Sequence, residues 1–140
     1  TEKVSTTDLF AGRKVVVFGL PGAFTPVCSA SHLPGFIAKA DEILAKGVDE
    51  IICLTPNDKF VSVSWGKDQG AGDKVSILAD GNLALTKALD MVEDMTANGM
   101  GLRSNRYSMI VEDGKVTALN AEKDSGHFEV SDAEATARML

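Results

Sequence analysis

Residues 19–36 place the strictest limit on the fold. They read GLPGAFTPVCSASHLPGF. In this stretch an apolar run is followed by a proline-containing loop and then by a helical pattern. These residues favour a helix that begins near Pro26. Thr25 is a suitable N-cap, and a proline in the first turn costs no hydrogen bond because the N–H at that position has no partner within the helix. Cys28 then lies in the first turn, where free N–H groups and the helix dipole stabilise a thiolate relative to a thiol. We therefore expect a reactive cysteine at a strand-to-helix junction.

Alternating strand and helix patterns predict an α/β architecture. Continuous apolar runs, typical of strands buried on both faces, occur at 14–20, 49–54 and 74–79. Helical patterns occur at 26–46, 60–67 and 83–91. Pro34 lies inside the first helical pattern and lacks an N–H, so we expect it to bend or break that helix into a short first piece and a longer second one.

The last third of the chain predicts a β-hairpin followed by a helix. Asp113-Gly114 is a dipeptide typical of a tight hairpin turn. Strand patterns flank it at 106–111 and 115–119, whereas 66–72 and 95–104 are predicted to be irregular. Residues 131–140 are predicted to form a terminal helix with Ser131 as its N-cap. The fold class predicted from these patterns is α/β, with a mixed central sheet flanked by helices and ligand-binding loops at one sheet edge.

Charge and cysteine content exclude several kinds of partner. The chain has 140 residues and a formal net charge of −6. Nucleic acid and anionic membranes need a basic patch, so we expect neither as a partner, and no apolar run is as long as a membrane span. Two cysteines without zinc-ligand spacing favour a reducing compartment and no metal site. We expect a single soluble domain in the cytoplasm, or in an organelle if a targeting segment has been removed.

Several segments together resemble the type II, or peroxiredoxin-5-like, subgroup of the peroxiredoxins. The most specific is Pro21-Gly-Ala-Phe-Thr-Pro-Val-Cys28, followed by Ser-His-Leu-Pro-Gly-Phe36. Further similar segments are Cys53-Leu-Thr-Pro-Asn-Asp58, Trp65-Gly66, Leu78-Ala-Asp-Gly81 and Arg106-Tyr-Ser-Met109. The resemblance implies a thioredoxin-like fold and thiol-dependent reduction of hydrogen peroxide and alkyl hydroperoxides without a cofactor. It also implies a homodimer packed through the loops around the active-site edge, and a short N-terminal strand pair before Thr1.

The resemblance also implies a role for individual residues. Cys28 is expected to be the peroxidatic nucleophile, Thr25 to contact thiolate and peroxide through its hydroxyl, and Arg106 to support the site. The expected active-site loop includes Pro21, Pro26 and Val27. A fixed guanidinium and preorganised N–H donors are suited to this chemistry, because they stabilise the thiolate and polarise the O–O bond together.

Two neighbouring side chains have competing interpretations. Arg103 is three residues from Arg106, and we expect it to be a solvated charge. His32 lies one helical turn after Cys28, the spacing of a Cys–His pair in a hydrolase. The resemblance treats His32 as part of a structural pattern instead, and no acidic residue is evidently paired with it.

The second cysteine leaves the regeneration step open. Cys53 is either a reduced core thiol or a resolving partner for Cys28. Gly126-His-Phe-Glu occupies the region where some relatives carry a C-terminal resolving cysteine. An external thiol is therefore expected to resolve Cys28, from glutathione with glutaredoxin or from thioredoxin. The alternative to an enzyme is a redox sensor that signals by oxidation of Cys28 without efficient turnover.

Overall fold

Seven strands and five helices make up the computed structural model, which describes residues 3–140. The strands are β1 (Lys14–Gly19), β2 (Glu50–Thr55), β3 (Ser76–Ala79), β4 (Val92–Asp94), β5 (Leu102–Ser104), β6 (Tyr107–Glu112) and β7 (Lys115–Ala121). The helices are α1 (Thr6–Phe10), α2 (Leu33–Leu44), α3 (Lys59–Gln69), α4 (Ala84–Ala88) and α5 (Ala133–Arg138). None of the helices in this part of the chain is long and apolar enough to cross a membrane.

The central sheet is mixed, as the sequence predicts. Its five strands have the order β3-β2-β1-β6-β7. Strands β1, β2 and β3 run parallel, whereas β6 is antiparallel to both β1 and β7. The turn between β6 and β7 has Asp113 and Gly114 at φ of 49° and 80°, the left-handed geometry that this dipeptide favours in a hairpin. The loops after β1 and β2 therefore emerge at the same edge of the sheet.

Apolar side chains cover both faces of the sheet. Val16, Phe18 and Cys53 face a cluster that includes Phe36 and Trp65, all fully or almost fully buried. Val15, Val17 and Ile52 face a second cluster on the opposite side. This burial on both faces explains why the strand patterns are continuous rather than alternating.

The helix after β1 differs from the prediction at Pro34. Helical backbone runs from Pro26 into α2 without a break, and Leu33 keeps helical dihedrals (φ −62°, ψ −46°). The irregularity is a π-helical turn at Cys28–His32, which ends where the Leu33 N–H bonds to the Cys28 carbonyl. A proline removes one N–H from the next turn, and the wider turn before it absorbs this loss without breaking the helix.

Three other predictions of local structure are wrong in detail. Residues 95–104 are not irregular throughout, because β5 pairs with β4 in a short antiparallel hairpin. The predicted connector at 66–72 is shorter, since α3 continues to Gln69 and ends at Gly70 with φ of 70°. The N-cap of α5 is Asp132, whose carboxylate accepts from the Ala135 N–H, and the Ser131 hydroxyl bonds elsewhere.

Candidate active site

The thiol of Cys28 lies where the loop after β1 enters the helix. Its side chain is fully buried, within the π-helical turn, and it is a free thiol. The Arg106 Nη2 donates to the Cys28 Sγ at 3.4 Å. The sequence therefore places the cysteine, and the fold adds a cation directly beside its sulfur.

Strand pairing explains how Arg106 reaches a cysteine that lies 78 residues earlier in the chain. Gly19, the last residue of β1, pairs with Tyr107, the first residue of β6. Arg106 immediately precedes β6 and is therefore at the sheet edge from which the Cys28 loop emerges. It is only 3% exposed. A charged side chain this deeply buried requires partners that satisfy its donors.

Four groups surround the Arg106 guanidinium. Besides Cys28, these are His32, whose Nδ1 lies 3.0 Å from Nη1, and Ser125, whose carbonyl accepts from Nε at 3.4 Å. The ring of Phe128 lies with its centroid 5.7 Å from the guanidinium carbon, within the range of a cation–π contact. These contacts hold the plane of the guanidinium with one nitrogen directed at the sulfur.

His32 is a neutral member of this site. It is fully buried, and its Nε2 lies 3.0 Å from the Ser131 carbonyl. Burial, together with the charge of Arg106, lowers the pKa of His32 to about 3. The Nε2 therefore carries the hydrogen and donates to Ser131, while the bare Nδ1 accepts from Arg106. Neutral His32 is fixed as a hydrogen-bond acceptor for Arg106, which argues against the Cys–His hydrolase interpretation.

The spacing of His32 from Cys28 is visible in the sequence, whereas its contact with Arg106 is not. The two residues are 74 positions apart, so no local pattern could reveal the contact. A histidine at i+4 from the cysteine, on the buried side of the helix, was the only signal available.

The loop before Cys28 is held by its own hydrogen bonds. The Thr25 hydroxyl donates to the Gly22 carbonyl at 2.7 Å, so the predicted capping role of its side chain is not what the structure shows. The Ala23 N–H donates to the Asn57 side chain at 2.8 Å. Phe24 has φ of 61°, an uncommon value for a non-glycine residue, and is 55% exposed.

The predicted loop residues lie at different depths. Pro21 is buried, whereas Pro26 and Val27 are exposed on the rim above Cys28. Thr25 is half-buried between them. The expected active-site loop is thus divided into a buried part and an exposed part.

The expectation that Arg103 is a solvated charge is wrong. Its side chain is half-buried, and its Nε donates to the Met100 carbonyl at 3.0 Å. Its Nη1 lies 3.4 Å from the Pro21 carbonyl oxygen and would be 2.8 Å from a Cβ added to Gly22. Arg103 therefore braces the loop before Cys28. The missing glycine side chain makes this close approach possible.

Cys53 lies in the interior of the sheet. It is fully buried in the middle of β2, where its register partners are Phe18 of β1 and Ile77 of β3. Burial, with a contribution from nearby Cys28, raises the pKa of the Cys53 thiol well above its usual value. This thiol is therefore protonated at neutral pH.

Neither a metal cluster nor the cleft beside β2 and β3 involves Cys28 in the described residues. Within residues 3–140, no group of three or more His, Cys, Asp or Glu side chains is placed to hold a metal ion. A cleft of about 620 Å³ is lined by residues such as Glu50, Ile52, Ser76 and Leu78 of β2 and β3, and by neither cysteine. Chemistry at Cys28 depends on the buried sulfur and the groups that surround it.

Comparison with known families identifies similar proteins along nearly the whole chain. A family model described as Redoxin matches residues 1–136. Peroxiredoxin-2D of Arabidopsis thaliana is 45% identical over 139 residues, which cover 99% of this chain and 85% of that protein. Other relatives carry the names of chloroplastic and mitochondrial peroxiredoxins.

Solved structures agree with this similarity. Reduced Prx3 of Vibrio vulnificus in complex with hydrogen peroxide is 50% identical, with a TM-score of 0.90, over 96% of this chain and 86% of that one. A 1-Cys peroxiredoxin, the antioxidant protein of Plasmodium falciparum, is 31% identical with a TM-score of 0.92, over 97% of this chain and 83% of that one.

Proposed function

Because the chain belongs to the redoxin family as a type II peroxiredoxin, a thiol peroxidase with a thioredoxin-like fold, we propose that Cys28 is its peroxidatic cysteine. Hydrogen peroxide and alkyl hydroperoxides are the proposed substrates. The observation that carries this assignment is the Arg106 guanidinium 3.4 Å from the Cys28 sulfur. A fixed cation at that distance can stabilise negative charge on the reacting atoms.

In the proposed first step, the Cys28 thiolate attacks one peroxide oxygen. A sulfur–oxygen bond forms with the thiolate's electron pair, the O–O bond breaks, and the second oxygen leaves with that bond's electrons. A proton converts the leaving group to water or an alcohol, while Cys28 becomes a sulfenic acid. Arg106 is already oriented by His32 and Ser125, so it stabilises the developing charge without reorganising.

Thr25 is proposed to orient the peroxide. Its hydroxyl hydrogen is committed to the Gly22 carbonyl, which leaves the oxygen lone pairs free to accept a hydrogen bond. The terminal O–H of a hydroperoxide can donate to this oxygen. Thr25 would then select for the protonated end of the substrate.

We propose that an external thiol resolves the sulfenic acid. Glutathione with glutaredoxin, or thioredoxin, attacks the Cys28 sulfur, releases water and forms a mixed disulfide, which a second thiol then reduces. The protonated and strand-bound state of Cys53 argues against it as the resolving residue. Since Cys28 is fully buried, the turn at Cys28–His32 must open to admit a partner's thiol.

A homodimer and a cytoplasmic location complete the proposal. Phe24 and Val27, in the segment that leads into Cys28, and Leu102 of β5 are 55%, 40% and 51% exposed, which supports an apolar contact between two copies. The names of chloroplastic and mitochondrial relatives make an organelle the alternative compartment. We also propose that residues 1–140 act as one domain.

The function is tested by following peroxide consumption with each thiol donor. Wild-type protein should turn over with glutathione and glutaredoxin or with thioredoxin, whereas Cys28→Ser should not turn over at all. Arg106→Ala should lower the rate by about a hundredfold, because it removes a donor that acts on developing charge. Arg138→Ala removes an arginine of which 67% of the side chain is exposed, and it should leave the rate unchanged.

Two results would contradict the proposal. Full turnover by Cys28→Ser would show that another group is the nucleophile. A single stoichiometric oxidation of Cys28 that no donor reverses would instead identify a redox sensor.

A further inference from the structure

The segment 122–131, here called the clamp segment, supplies two of the four groups that surround the Arg106 guanidinium and holds a third in place. Its Ser125 carbonyl accepts from the Arg106 Nε, and its Phe128 ring lies against the guanidinium. Its Ser131 carbonyl holds His32, whose other ring nitrogen accepts from Arg106. The direction of the guanidinium toward Cys28 therefore depends on the shape of a segment that does not itself bond to the sulfur.

The carboxylate of Glu122 folds the end of the clamp segment back on its beginning. It accepts hydrogen bonds from the backbone N–H groups of Glu129, Val130 and Ser131 at 3.0, 2.9 and 2.8 Å. The Ser131 hydroxyl donates to it as well, at 2.6 Å. Glu122 is 5% exposed, and in the described part of the chain it forms no ion pair. A buried carboxylate with four donors and no paired cation fixes the backbone around it tightly.

The backbone of Glu122 is tied to Arg106 directly. The Glu122 N–H donates to the Arg106 carbonyl, and the Asn105 side chain donates to the Glu122 carbonyl at 2.9 Å. One end of the clamp segment is thus fixed beside Arg106. The carboxylate then holds Ser131 where its carbonyl contacts the His32 Nε2.

We propose that Glu122 is a positioning residue for Arg106, acting through the Ser131 carbonyl and neutral His32. This inference rests on the proposed function, because it concerns the efficiency of Arg106 at Cys28. Burial alone raises the pKa of Glu122, but the hydrogen bonds from Ser131, Val130 and Glu129 lower it below its usual value, so the carboxylate is an anion at neutral pH.

A second carboxylate limits how far Arg106 can move. Glu93, in β4, accepts from the N–H of Ser125 at 2.9 Å and also from its hydroxyl. This contact holds the middle of the clamp segment independently of Glu122. Loss of the Glu122 carboxylate should therefore misdirect Arg106 without releasing it, and the effect should be smaller than removal of the guanidinium.

Glu122→Gln is the matched substitution. It keeps the size of the side chain but replaces one acceptor oxygen by an NH₂ group, which faces donors and cannot accept from them. The test measures the second-order rate constant for oxidation of Cys28 by hydrogen peroxide, by stopped flow, in the full chain. Four proteins are compared: wild type, Glu122→Gln, Arg106→Ala and the double variant. Glu134→Gln, at a carboxylate whose side chain is 67% exposed, is the control and should match the wild type.

The expected result is that the effects of Glu122→Gln and Arg106→Ala on the rate constant are not additive. Glu122→Gln should lower the rate constant by about tenfold to a hundredfold in the wild-type background, because a small displacement of a reacting group has costs of that order. In the Arg106→Ala background the same substitution should change the rate by less than twofold. Ser131→Ala, which removes one of the four hydrogen bonds, should cause a smaller loss that also disappears without Arg106. It carries the same test if Glu122→Gln does not fold.

Other outcomes overturn the inference. An equal loss in both backgrounds would mean that Glu122 acts on the general stability of the site and not through Arg106. An unchanged rate in folded Glu122→Gln would mean that the clamp segment does not need the carboxylate. If Arg106→Ala oxidises as fast as the wild type, that result would contradict the proposed function instead.

Discussion

The most informative residue beside the cysteine is a histidine that carries no charge. A protonated His32 would offer Arg106 a donor in place of an acceptor and would place a second positive charge beside it. Because the ring is neutral, it adds no second positive charge beside Cys28, and its Nδ1 can orient the Arg106 guanidinium by accepting a hydrogen bond. The same burial that keeps His32 neutral gives folding a pH dependence.

His32 should make the protein less stable as the pH falls from 7 toward 5. The pKa of His32 is about 3 in the folded protein and 6.5 ordinarily. Between pH 7 and 5 the unfolded chain therefore binds a proton at His32, whereas the folded protein does not. The stabilising contribution of His32 is therefore complete above pH 7 and is lost as the pH falls. Between pH 7 and 5 the linkage corresponds to about 2 kcal/mol of unfolding free energy.

Urea unfolding at several pH values measures this effect. His32→Asn, which keeps an acceptor near the position of Nδ1, should have a flatter stability curve than the wild type by that amount. His127→Asn changes the exposed histidine and should keep the steep decline. Parallel curves for the wild type and His32→Asn would contradict the proposed neutral state.

Among the elements, the pairing of β1 determines where both Arg106 and Cys53 lie relative to Cys28. On one side, the antiparallel register with β6 brings Arg106 to the end of β1. On the other side, the parallel register with β2 places Cys53 beside Phe18, with β3 bonded to the far edge of β2. Because β2 is bonded on both sides, Cys53 is fixed in the sheet, and a disulfide with Cys28 would require the Cys28–His32 turn to move.

One equivalent of hydrogen peroxide, added without reductant, should therefore oxidise Cys28 without forming a disulfide to Cys53. Intact-mass spectrometry should detect one added oxygen, the mass of a sulfenic acid. Cys53→Ser should gain the same mass, and Cys28→Ser should gain none. A loss of two hydrogens in the wild type would instead identify Cys53 as the resolving residue.

At the scale of the whole molecule, the loops around Cys28 form an apolar rim. Phe24 and Val27 expose large side chains in the segment that leads into Cys28, and Leu102 exposes another on β5. Arg103, the next residue of β5, links that strand to the loop before Cys28 by contacting the Pro21 carbonyl. Phe24 also holds an uncommon backbone conformation that persists only when its surroundings stabilise it. A second copy of the chain packed on this rim would shield the site from water.

Phe24→Glu should convert the proposed homodimer to a monomer, because it introduces a charge into a contact that would exclude water. Sedimentation velocity over a range of concentrations measures the change. Leu119→Glu is the matched control, since Leu119 is 48% exposed on the edge strand β7, and it should remain dimeric. A monomeric wild type, or a dimer that tolerates Phe24→Glu, would contradict the proposal.

Much of the molecule could be predicted where the signal is local. The strand patterns, the turn at Asp113-Gly114 and the helix after Cys28 depend on neighbours in the chain, and each is found close to its predicted place. The β4–β5 hairpin was missed because its strands have only three residues each and no clear alternation. Ser131 was misassigned as an N-cap because Glu122, nine residues earlier, takes its hydroxyl.

The cysteine proposed to react and its loop can be predicted from 18 consecutive residues, since a strand end and a first helical turn are both short-range features. The environment of that cysteine required the folded chain. Arg106 reaches His32 across 74 positions, and His32 reaches Ser131 across 99. Such contacts exist because β6 pairs with β1 and because buried polar groups must find partners wherever the fold brings them. The proposed nucleophile is therefore a property of a segment, whereas the direction of the charge beside it is a property of the packed molecule.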